Sequence, residues 1–178
     1  MNLKLCLPGR GPALVLVFLL GCRPPESRGP APAPPLRTSG GWYSSPRELA
    51  EMVLLGLREK DEELLDSLRV TEREYQEVLF PEFPAAAGNA PPEFHWFLTN
   101  THSRAGIESA LGNWGGKDFE LVDVVVTQET QDYRTFRILN KVELKVKDRK
   151  GGPEIRQLRI FGSMVELKGR YKILSFRN

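Results

Sequence analysis

Apolar positions recur at helical spacing from residue 45 to about residue 112, then alternate with polar ones from Lys117 onward. Ser45, Pro46, Arg47 and Glu48 read as a capping box with proline at the first helical position. Leu49, Met52, Val53 and Leu57 follow as one apolar stripe, so the spacing predicts a helix with a single core-facing side. Asp61 heads a short second helix through Leu64, Leu65 and Leu68. Thr71 and Glu74 repeat the capping-box spacing for a third, which ends near the Phe80–Pro84 loop. A longer helix is predicted from Pro91 and Pro92 to about Gly112, closed by Gly115 and Gly116. Phe94, Phe97, Leu98, Thr101 and Ala105 form one apolar stripe on it, with Trp96, Ile107, Leu111 and Trp114 nearly opposite. A helix apolar on two sides is expected to lie buried between a sheet and other helices.

The alternating half reads as four strands, FELVDVVV, YRTFRILNKVELKVK, EIRQLRIFGSMVEL and RYKILSF, with turns at KDRKGGP and KG between the last three. The longest strand puts Phe136, Ile138, Val142, Leu144 and Val146 on a dry face and Arg137, Lys141, Glu143, Lys145 and Lys147 on a wet one. Gly162 interrupts the alternation of the third, which predicts a bulge that curves the sheet. The fold class is therefore α+β, three or four N-terminal helices packed on a curved four-stranded antiparallel sheet. That order of elements, closed by GRYKILSF, resembles the NTF2-like (cystatin-like α+β) superfamily over Trp42 to Phe176. The resemblance implies a cone with a pocket at its open end. It selects no function, because such folds serve enzymes, ligand binders and interaction modules alike.

The first residues follow a different logic. Lys4 and Arg10 precede an apolar run from Ala13 to Leu20 with no acidic residue among them. A spanning helix needs about 20 apolar residues, and Arg23, Pro24 and Pro25 end this run too early. Leu19, Leu20, Gly21 and Cys22 resemble the lipobox of bacterial lipoprotein signal peptides. The resemblance implies that residues 1–21 are removed, that Cys22 carries acyl chains as the membrane anchor, and that the protein resides in the bacterial cell envelope. Two or more chains on one residue give stable anchoring where a single chain does not. Arg23, where aspartate would favour inner-membrane retention, implies the outer membrane. Residues 22–41 are proline-rich and poor in large apolar side chains, which predicts a disordered tether reaching on the order of 60 Å. The folded domain is expected over residues 42–178.

Composition sharpens this organisation. Cys6 and Cys22 are the only cysteines, and loss of the first with acylation of the second excludes a disulfide or thiolate zinc site in the mature chain. The 25 basic side chains fall to 23 once Lys4 and Arg10 are removed, matching 23 acidic ones, so charge makes no case for nucleic acid. The helical half is acidic and the strand half basic. Lys141, Lys145, Lys147, Arg149 and Lys150 gather on one hairpin as a candidate interaction face for an anionic surface or acidic partner.

His95 and His102 are the only histidines. They share a flank of the long helix but stand about 10.5 Å apart along its axis, too far to share one metal ion. Ser103 beside His102 lacks a G-x-S-x-G elbow, which argues against nucleophilic catalysis. Asn140 falls among Ile138, Val142 and Leu144, and Asp123 between Leu121 and Val125. A buried polar group needs a partner, so Asn140 and Asp123, with His95 and His102, are the candidate pocket residues. No catalytic residue, metal or cofactor is assigned. Three readings follow: non-catalytic binding of a small apolar or amphipathic ligand or of a partner; an isomerase or dehydratase using Asp123 or a histidine as base; and a structural accessory docking by its basic sheet face.

Overall fold

The computed structural model describes residues 41–127 and 130–177. The expected signal peptide, lipidated Cys22 and tether over residues 1–40 lie outside the described residues. Helix α1 (Pro46–Glu59) starts where Ser45 Oγ accepts from the Glu48 N–H at 3.1 Å. The reciprocal half of the box is shifted by one residue: the Glu48 carboxylate accepts from the Ser44 N–H at 2.9 Å and from Ser44 Oγ at 2.6 Å. Leu49, Met52, Val53 and Leu57 are all buried, as their spacing requires. Asp61 caps α2 (Glu62–Ser67) through the Leu64 N–H. Thr71 and Glu74 make a complete reciprocal box at the head of α3 (Glu72–Glu74). The chain then continues as one π turn (Tyr75–Leu79) and two tight 3₁₀ turns ending at Ala87.

The last helix, α4 (Pro92–Trp114), stops where the Gly115 N–H bonds to the Leu111 carbonyl and Gly116 adopts φ 80. Its inner face is made of Ser103, Gly106, Ile107 and Ala110. Small side chains let it approach the last strand closely: a Cβ at Gly106 would stand 2.8 Å from the Phe176 backbone. The expectation of a helix buried on two sides fails. Phe94, Phe97 and Leu98 are 51%, 62% and 39% exposed, because the sheet and the earlier helices cover only the opposite side. Among the described residues, no helix is long and apolar enough to cross a membrane.

Among the described residues, seven strand segments replace the four expected: β1 (Phe119–Val126), β2 (Gln131–Asp132), β3 (Phe136–Asn140), β4 (Val142–Asp148), β5 (Ile155–Leu158), β6 (Phe161–Leu167) and β7 (Arg170–Phe176). They form two antiparallel sheets, β1-β4-β5 and β2-β3-β6-β7. The registers show what divides them. Val126 faces Val142 and Gln131 faces Ile138, five residue steps against four. Asn140 faces Ser163 and Leu144 faces Leu158, four steps against five. Against β3–β4 each partner thus uses one more residue at the kink, between Val126 and Gln131 and between Leu158 and Ser163, the signature of a bulge. At the first kink Lys141 adopts φ 47. Its N–H bonds to the Gly162 carbonyl, and its own carbonyl accepts from the Thr127 N–H and Oγ1. The bulge expected at Gly162 is present, with register shifts on both sides of Ser163.

Two cores result. The first is mainly aliphatic and packs α1, α2 and the second half of α4 onto β1, β4 and β6. The second is aromatic, with Tyr75, Phe80 and Phe136 joined by Trp42, Phe83, Trp96 and Tyr133. The central part of the four-stranded sheet is covered on both faces. Met164 and Ile173 enter the first core, whereas Ile138 and Val165 enter the second.

Candidate functional site

The part of α4 that carries Thr99 and His102 lies beside β7. There Thr99, His102, Leu174, Ser175 and Phe176 line a groove of about 490 Å³. Its position follows from the small inner face of α4: Ser103, fully buried, accepts the Phe176 N–H on Oγ at 2.9 Å and so fixes helix against strand. That bond gives Ser103 a structural role, in keeping with the missing nucleophile elbow. Behind the groove a polar row crosses the sheet. Asn140 stands opposite Ser163, Ser163 opposite Ser175, and the two serine hydroxyls lie 3.4 Å apart. The register therefore links Asn140 to the groove bearing His102, two candidate residues 38 positions apart in the chain.

The other two candidates lie elsewhere. His95 is half-buried with its ring 5.2 Å from that of Phe80, at the edge of the aromatic core. Asp123 is exposed on β1, where its carboxylate accepts the Val124 N–H and lies 3.7 Å from Lys145 Nζ. The inward phase does hold at Leu121, which is buried, but the register shift between Leu121 and Asp123 turns Asp123 to the exposed side. A base tuned by burial needs enclosure, and Asp123 has none.

The basic hairpin is also less uniform than its sequence implies. Lys145 pairs with Asp123, and Arg149 lies 3.9 Å from Asp118. Lys147 and Lys150 are exposed, and Lys141 occupies the kink rather than the regular face. Glu143, expected on the wet face, is buried and accepts Arg159 Nε at 2.5 Å.

Two buried cations escaped the sequence reading. Lys172 is fully buried on β7, and Nζ donates to both Glu74 oxygens at 3.0 and 2.9 Å. Trp42 Nε1 donates to the same carboxylate at 2.7 Å, and the Trp42 ring lies 5.5 Å from Nζ. Burial alone would raise the Glu74 carboxyl, but the Thr71 N–H, Lys172 and Trp42 outweigh it and hold it below the usual range. Arg69, 3% exposed, bonds to Asp66 at 2.6 Å and Asn100 at 2.9 Å and lies over the Trp96 ring. The available signal for Lys172 was its phase: it alternates with Leu174 and Phe176, both apolar.

Among the described residues, no group of three or more His, Cys, Asp or Glu is placed to hold a metal ion. No family model matches the chain, and searches of curated proteins and of solved structures return no match.

Proposed function

We propose that this chain is a lipid-anchored protein of the bacterial cell envelope, held through Cys22 in the outer membrane, with an NTF2-like domain that binds a small amphipathic molecule without catalysis. The observation that carries the ligand is the groove between α4 and β7. Its volume of about 490 Å³ lies within the range typical of small-molecule sites. Leu174 and Phe176 offer it apolar walls, and Thr99, His102 and Ser175 offer polar ones. Strands that continue across two kinks with a one-residue bulge at each support a bent, cone-forming sheet. The aromatic core fills the space beneath the four-stranded sheet, so the reading puts the ligand at the helix–sheet edge.

The test is mass spectrometry of an organic extract of the full chain purified from a native-like envelope, against His102→Ala and Asn140→Ala variants. A stoichiometric small molecule that is depleted in the variants is the expected result. Equal recovery from all three proteins would reject the groove. The same preparation reports the mass of the N-terminal peptide and so tests Cys22 acylation separately.

A second reading, a partner-docking module, draws on the outer stripe of α4. Phe94, Phe97 and Leu98 stand exposed side by side on it, and covering apolar area returns about 25 cal/mol per Å². A photo-crosslinking residue at position 97 in the intact envelope should trap an adduct, whereas one at the exposed Glu108 of the same helix should not.

A further inference from the structure

The kink in the sheet opens a cleft of about 350 Å³ that is distinct from the groove. Thr127, Lys141, Glu143, Arg159, Phe161 and Arg177 line it. Three cations face one carboxylate. We infer that this cleft is a binding site for a phosphate group, with Arg159, Lys141 and Arg177 as its ligands and Glu143 as the residue that orients Arg159.

The backbone fixes the points from which these side chains leave the chain. Lys141 is tied on both sides by the Gly162 and Thr127 bonds that maintain its positive φ. Arg177 donates its N–H to the Ile160 carbonyl at 2.8 Å, one residue from Arg159. Cations fixed in this way lose less freedom on capturing an anion than cations on a loose loop. Arg159 is oriented further. Its Nε is fixed on Glu143 at 2.5 Å while its side chain stays 61% exposed, so the terminal amines remain turned toward the opening. A planar guanidinium with both terminal amines available matches the oxygens of a phosphate. Among the described residues, neither Lys141 nor Arg177 makes an ion pair, unlike Lys145 and Arg149 of the same basic half. After Glu143 neutralises Arg159, the described lining residues keep two positive charges, Lys141 and Arg177, matching a phosphate monoester. That group could belong to a soluble ester or to a lipid headgroup.

The inference stands independently of the Cys22 anchor and of the α4–β7 groove. It is tested on the full chain by following the amide resonances of Thr127, Lys141 and Gly162 during titration with inorganic phosphate at low salt. In parallel, a Cys22→Ser form of the full chain is floated with phosphatidylcholine vesicles that contain or lack phosphatidate. Saturable shifts with inorganic phosphate support a soluble ligand, and flotation only with phosphatidate supports a headgroup. In either case Lys141→Asn, which tolerates the left-handed backbone, should weaken binding on the order of tenfold. Glu143→Gln keeps an acceptor for Arg159 and removes the competing charge, so it should tighten binding severalfold. No saturation and no phosphatidate dependence would overturn the site. So would a Glu143→Gln variant that folds normally yet binds no tighter.

Discussion

Two pairs of a base and a glutamate flank the sheet, and they are built in opposite ways. In the first the cation is sealed in: the Lys172 side chain is 1% exposed beside a 26% exposed Glu74, two of its N–H groups go to the carboxylate, and an indole lies over it. Arg159 and Glu143 are half open, with a 9% exposed carboxylate beneath a 61% exposed guanidinium. In the sealed pair the donors are used internally, so the pair can only hold β7 to α3 and Trp42. In the open pair one N–H orients the guanidinium and the others face solvent. Two ion pairs of similar composition thus serve different ends, and their enclosure decides which.

The contrast can be broken most forcefully at the sealed end. Lys172→Ala removes the cation that balances Glu74 and empties a fully buried position, and urea denaturation should show a loss of about 3 kcal/mol. A loss below about 1 kcal/mol, the level of a surface pair, would erase the distinction. Acid should act on the same pair. The folded-state value of Glu74 lies below its ordinary 4.5, so the stability it contributes is fully present above pH 4.5 and is lost as pH falls through the depressed folded value. The urea midpoint should therefore drop more steeply below pH 4.5 in the native protein than in Lys172→Met, which lacks the cation.

The open pair should respond more weakly. Arg159→Ala exposes Glu143 to water at the cleft rather than stranding it, so the expected cost is about 1 kcal/mol in the same denaturation assay. A cost equal to that of Lys172→Ala would make Arg159 a structural residue. The smallest effect has the opposite sign. Lys141 occupies φ 47, a conformation that glycine adopts freely, so Lys141→Gly should raise the thermal midpoint by the equivalent of about 0.5–1 kcal/mol. A lowered midpoint would mean that the lysine side chain itself stabilises the kink.

The sequence conveyed much of this architecture because much of it is local. Ser45, Asp61 and Thr71 bond to N–H groups three residues ahead, so their helix starts are written within four positions of chain. The buried stripe of α1 follows from helical spacing alone, and the bulge beside Gly162 from broken alternation. The candidate site was legible only in fragments. Asn140 and His102 were singled out separately, yet only the strand register, through Ser163 and Ser175, relates one to the other. Asp123 was singled out by an inward phase that holds at Leu121 and is reversed before Asp123 by a bulge that alternation did not reveal.

The sequence by itself determined the order of elements, the helix starts and the alternating strands, because each depends on neighbouring residues. Tertiary structure alone decided three other matters. It broke the long strand at a lysine, a residue that does not announce a left-handed turn as glycine or asparagine would. It left Phe94, Phe97 and Leu98 uncovered, because periodicity shows which side of a helix is apolar but not whether anything packs there. It buried Lys172 and Glu143 against partners 98 and 16 residues away, because the cost of enclosing a charge depends on contacts that only the folded chain supplies.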